Sequence, residues 1–127
     1  MNFTEAEKAL GKRETKKLDN NTYLYRIDEN TLGIKLHNTT IIEINRVQLE
    51  SGDSVTHYLL RTGGFQTVTT KDRLNKFTPA RISQINFIWY FFPSRIAFTE
   101  GAVVDETGDL VPVFAEFPKR SSNTKTS

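Results

Sequence analysis

The sequence predicts a mainly β domain, either a small antiparallel barrel or a highly twisted sheet, with one short internal helix. At the N-terminus it predicts either a second short helix or a loose basic arm. Three observations point there. Short alternating apolar runs, separated by Asp, Asn, Gly and Ser turns, follow one another from residue 21 to residue 117. Nine Phe, four Tyr and one Trp against one Met suit a core of aromatic and β-branched packing, as sheets use. The 127 residues, 37% hydrophobic and 25% charged, are enough for one domain with one modest core.

Residues 1–20 form the arm or helix. Glu5 to Leu10 favour a helix that Gly11 ends, but its apolar face is thin and fraying is expected. Residues 21–117 form the β-rich domain. TYLYRI (22–27) alternates, IDEN (27–30) turns, and TLGIKLH (31–37) sets Leu32, Ile34 and Leu36 against polar neighbours. After a second turn at HNTT, IIEINRVQLE (41–50) supplies a strand or strand pair, ESGDS a loop, and SVTHYLLRT a return strand. Gly63 and Gly64 bend the chain before a helix expected from Thr70 to Phe77, which Pro79 stops. RISQINFIWYFF (81–92) is apolar on both faces and is expected as one central strand covered on both sides. RIAFTE (95–100), AVVD (102–105) and LVPVFAEF (110–117) follow, and residues 118–127 form a disordered basic tail.

Several function classes are excluded. The absence of Cys removes disulfides, thiolate catalysis and Cys-ligated metals. His37 and His57, the two histidines, lack any metal-binding spacing, so no metal and no cofactor are expected. No Ser stands in a nucleophile elbow, and the carboxylates at 28, 29, 105, 106 and 109 fall in turns, so no catalytic residue and no enzyme are expected. No apolar run approaches the ~18 residues of a membrane helix and the N-terminus lacks the residue order of a signal peptide, so a cytoplasmic protein is expected. The net charge of +2 implies no polyanion partner by itself. The positive charge is nevertheless uneven: four of six residues in KRETKK (12–17) are basic, and Lys119, Arg120 and Lys125 lie in the tail.

RTGGFQTVTTKDRLNKF (61–77) fails the phosphate-loop spacing, because Lys71 lies too far from the glycines and the threonines precede it. With Thr70 as the expected helix cap, Lys71 and Arg73 fall in the first turn, where the helix dipole disfavours cations unless an anion is present. Thr69, Thr70, Lys71 and Arg73 are therefore a candidate anion site. Aromatic and basic residues interleave elsewhere: Tyr23, Tyr25 and Arg26 on one predicted strand, Lys35 and His37 on the next. Such a surface can stack and neutralise single-stranded nucleic acid.

The residues also carry a resemblance. LDNNTYLYRIDENTLGIKLHNTTII (18–42) and the 61–77 block resemble a widespread family of small uncharacterised proteins encoded by bacteriophages and bacterial genomes. That family shows NNTYL, an R/K-L-H-x-T segment and GGW-x-TVTTKDRIN. Residues 20–24, then Lys35, Leu36, His37 and Thr39, then Gly63, Gly64, 67–73 and Asn75 match, with Phe65 in place of Trp and Leu74 in place of Ile. The resemblance implies a phage context, with the bacterial host cytoplasm as the expected location, and no catalytic residue. The expected function is a small non-enzymatic binding protein that contacts nucleic acid. The alternatives are a protein-interaction factor acting on a host machine, or a small subunit of a virion or larger assembly.

Overall fold

The structure, a computed structural model, describes residues 1–112. The basic tail and the end of the 110–117 segment lie outside the described residues. Two helices and eight strands follow in the order α1 (Phe3–Leu10), β1 (Thr15–Asp19), β2 (Thr22–Asp28), β3 (Thr31–Leu36), β4 (Thr39–Gln48), β5 (Ser54–Leu60), α2 (Val68–Phe77), β6 (Ile82–Ile85), β7 (Ile88–Phe91) and β8 (Ala102–Val104). The fold is mainly β, and every strand pair is antiparallel. Six strands form one sheet in the order β1-β2-β3-β4-β5-β8, while β6 and β7 pair separately. β1 and β8 end the large sheet without meeting, so of the two expected architectures it is the open sheet and not the barrel.

Alternation decides which face is buried. Leu24, Ile34, Ile42 and Leu60 stand directly opposite one another across four strands. Leu32, Ile44, Tyr58 and Val104 form the next row of the same face, and all eight are buried. α1 covers part of this face with Phe3, Ala6 and Leu10. Of the two expectations for this segment it forms the short helix, and Phe3 adds a large anchor to its thin apolar stripe, only 2% exposed, a burial contributing about 1.5–3 kcal/mol. Asn2 and Glu5 close a capping box at the other side of the same turn, with bonds of 2.8 and 2.9 Å.

The opposite face of the sheet carries Tyr23, Tyr25 and Lys35. Gly33 lies opposite Tyr25 in the register, and the Tyr25 ring lies across it: a Cβ built on Gly33 would sit 2.6 Å from Tyr25 Cε1. The Tyr25 hydroxyl bonds to the Thr40 hydroxyl, and Lys35 Nζ sits 5.4 Å from the ring centroid.

Residues 81–92 correct the expectation of a single central strand. The chain reverses at Asn86 and Phe87, with φ of 51° and 70°, the paired left-handed turn that two-residue hairpins use. Ile82, Trp89 and Phe91 face inward, the last two against Phe98 at 5.5 and 5.6 Å between ring centroids. Of the residues whose alternation suggested burial on both sides, Ile88, Tyr90 and Phe92 against Phe87, Trp89 and Phe91, only Trp89 and Phe91 are buried, while Ile88 is exposed and Phe87 sits in the turn. Left-handed backbone costs a side-chain-bearing residue about 1–2 kcal/mol, and the Phe87 side chain, 90% exposed, buries little among the described residues to offset it.

Candidate functional site

The β1–β2 turn, the β3–β4 turn and the 61–73 segment meet on one side of the sheet, and direct bonds tie each to another. His37 N–H donates to Asn21 carbonyl at 2.7 Å, with both residues in the left-handed turn conformation. Gly63, at φ 66°, lies so close to the β3–β4 turn that a Cβ would come 2.6 Å from Thr39 Cγ2, which is why a side chain is not tolerated there. Arg73 reaches from α2 to the first turn, donating from Nε to Thr22 Oγ1 at 2.9 Å and from Nη2 to Asn20 carbonyl at 3.5 Å.

Together these segments enclose a cleft of about 740 Å³, within the range of small-ligand sites. Its floor and walls are Leu36, Ile41, Thr62, Thr70 and Arg73, all with little exposure. Its mouth carries Asn20, Asn21, His37, Asn38, Phe65, Thr67 and Thr69. Phe65 is 62% exposed and flanks the opening.

The start of α2 corrects the expected cap. Thr67, not Thr70, is the capping residue: its Oγ1 accepts from Thr70 N–H at 3.1 Å and shares a hydrogen bond with the Thr70 hydroxyl at 3.0 Å. Losing such a cap costs about 1 kcal/mol. The helix thus begins at Val68, and Lys71 and Arg73 fall beyond the first three helical positions, where the dipole penalty that made them anomalous has faded. Arg73 is 12% exposed and lies 2.6 Å from Asp72 and 3.5 Å from Asp19, while Lys76 bonds the other Asp19 oxygen at 2.6 Å. The Lys76 bond, with the Asn20 N–H and the Arg73 charge, holds the Asp19 carboxyl below its ordinary value.

Glu100 holds the loop ahead of the helix. Its carboxylate accepts from Thr62 N–H at 2.8 Å, from Gly63 N–H at 3.4 Å and from the Thr62 hydroxyl. Burial pushes the Glu100 pKa up, but these bonds and the Arg61 charge outweigh it and the net shift is downward. Thr62 in turn accepts Gly64 N–H on its hydroxyl at 3.1 Å and Phe65 N–H on its carbonyl at 3.1 Å. Glu100 therefore fixes the backbone that places Phe65.

Of the residues expected to bind, the cleft gathers His37, Thr69, Thr70 and Arg73. Lys71 is on α2 but outside the lining. Tyr23, Tyr25 and Lys35 sit together on the open face of the sheet. Arg26 projects to the other face, where it pairs with Glu7 at 2.9 Å. Phe65, Asn38, Thr67 and Glu100 are not among the binding residues expected from sequence; an aromatic within the otherwise polar run 61–67 is the signal that marks Phe65. Among the described residues no group of His, Asp or Glu side chains converges as a metal site requires, and no helix is long and apolar enough to cross a membrane.

No curated protein and no solved structure matches the chain. A family model described as Kyanoviridae Gp96 protein matches residues 2–105, a span that contains every residue lining the cleft. The chain thus belongs to the Kyanoviridae Gp96 protein family, a family of phage proteins.

Proposed function

We propose that this phage protein is a non-catalytic binding protein that takes an unpaired base of single-stranded nucleic acid into the cleft, without metal or cofactor, inside the infected cell. The observation that carries this reading is Phe65, an aromatic ring held exposed at the mouth of a cleft whose rim also carries Asn21, His37 and Asn38. A base stacked on such a ring gains about 1–3 kcal/mol. The amides and the imidazole offer both donors and acceptors to its edge. The first turn of α2, at Val68 and Thr69, presents N–H groups with no partner in the helix, suited to one phosphate.

The charge balance refines the expectation. Arg26, Arg61 and Arg73 each face a carboxylate, so they add little net field. Affinity in this reading comes from stacking and hydrogen bonding, and salt dependence is shallow, with a log–log slope of about −0.7 for a single phosphate contact on a single strand. In this reading Tyr23, Tyr25 and Lys35 take no part, because none of them lines the cleft and the Tyr25 ring is engaged across Gly33.

Fluorescence anisotropy with a short labelled single strand tests this. The wild-type protein should bind, and Phe65→Ala should bind about 5- to 150-fold more weakly, the stacking range expressed as affinity, with an unchanged melting temperature. Equal affinity for the two proteins, or no binding by either, would contradict it.

A further inference from the structure

We propose that the β6–β7 hairpin is a docking element that inserts Phe87 into an uncharged, apolar pocket of another protein. This is independent of the cleft. From Ile82 to Ser94 the chain contains no charged residue, although a quarter of the whole sequence is charged (25%). The inward face of the hairpin is satisfied: Ile82, Trp89 and Phe91 are buried, and Trp89 Nε1 donates to Gln84 Oε1 at 3.3 Å. The outward face and the tip are not. Ile85 and Ile88, directly opposite each other, are 48% and 49% exposed, and Phe87 between them is 90% exposed.

Phe87 is the decisive residue. In a two-residue turn with both φ angles positive, the favoured pair is Asn followed by Gly. Asn86 obeys that preference, and Phe87, at φ 70°, breaks it. A bulky side chain there strains the backbone, and at 90% exposure the ring gains little packing among the described residues to offset either cost. Residues held in such strained backbone conformations cluster at functional sites. A rigid hairpin tip presenting one aromatic anchor flanked by two isoleucines matches the centre of a protein interface, where aromatic anchors fill apolar pockets.

The polar residues nearest the tip in sequence, Gln84 and Asn86, are neutral. A charged pocket would therefore be desolvated with no opposite charge to face it, which sets the partner surface as uncharged. Membrane insertion would call for basic residues flanking the apolar tip. The basic residues bordering this segment, Arg81 and Arg95, lie at the far ends of β6 and β7 from the turn.

Two measurements test the proposal. The first is the melting temperature of Phe87→Gly, which installs the favoured Asn-Gly pair. It should rise, because the side chain costs the fold stability; a fall would overturn the proposal by showing that Phe87 serves folding. The second uses purified protein with the photo-crosslinker p-benzoylphenylalanine at position 87, irradiated in extract of infected host cells. The expected result is one protein adduct whose crosslinked peptide maps to an uncharged apolar pocket, and which excess wild-type protein suppresses but excess Phe87→Asp does not. Crosslinks to a second copy of this chain, to lipid, to a charged surface, or to many proteins without competition would each overturn it, as would the absence of any adduct.

Discussion

Arg73 Nε donates to Thr22 Oγ1 at 2.9 Å, a bond that spans fifty-one residues of chain and fastens α2 to the first residue of β2. Thr22 is fully buried, and the Arg73 side chain is 12% exposed. The guanidinium thus acts as a clamp between two of the segments that line the cleft.

The Arg73→Ala variant should consequently be less stable than the wild type by about 1.5–3 kcal/mol, the usual cost of removing a charged, hydrogen-bonded partner. Urea denaturation at neutral pH measures it. An anion-holding Arg in a repulsive first turn would give the opposite sign, since its removal would relieve the helix dipole.

Gly33 and Tyr25 make a second firm prediction. A methyl group at position 33 meets the Tyr25 ring at 2.6 Å and Ile27 Cδ1 at 2.9 Å. Gly33→Ala should lose about 1–3 kcal/mol through overpacking, with recovery in the double variant that also carries Tyr25→Ala. Thermal unfolding of the pair and of the single variants gives the coupling.

Acid stability should depend on Glu100. Its folded pKa is lowered from 4.5, so the unfolded chain binds the proton more readily. The stabilisation from this group is full above 4.5 and is lost as the pH falls below that value through the lowered folded pKa. Glu100→Gln should therefore flatten the loss of stability below pH 4.5 relative to wild type. Asp19 and Asp105 shift in the same direction and keep part of the slope in both proteins. Unfolding midpoints across the acid range read the difference directly.

The large sheet was legible in the sequence because its core face follows strict alternation: Leu32, Ile34 and Leu36 in one strand and Thr56, Tyr58 and Leu60 in another point inward at every second position. The hairpin at 82–91 was not, because its outward face is as apolar as its inward one and its turn holds Phe87 where a glycine would have announced it. The helix cap was ambiguous for a related reason. Thr67, Thr69 and Thr70 are chemically equivalent candidates, and only the bond from Thr70 N–H to Thr67 Oγ1 chooses among them. That choice of three residues moved Lys71 and Arg73 out of the first turn and removed the case for them as an anion pair. The cleft itself is a product of turns far apart in sequence, 20–21, 36–39 and 62–73, whose meeting depends on sheet register and on Gly63 packing against Thr39.

The central claim, that the cleft holds an unpaired base, is tested most directly by mapping amide chemical-shift changes while a short single-stranded oligonucleotide is added to ¹⁵N-labelled protein. The account predicts shifts concentrated at Asn21, His37, Asn38, Phe65 and Thr69, with the amides of Tyr23, Tyr25 and Lys35 unmoved. Shifts confined to that open sheet face, or none at saturating oligonucleotide, would contradict it.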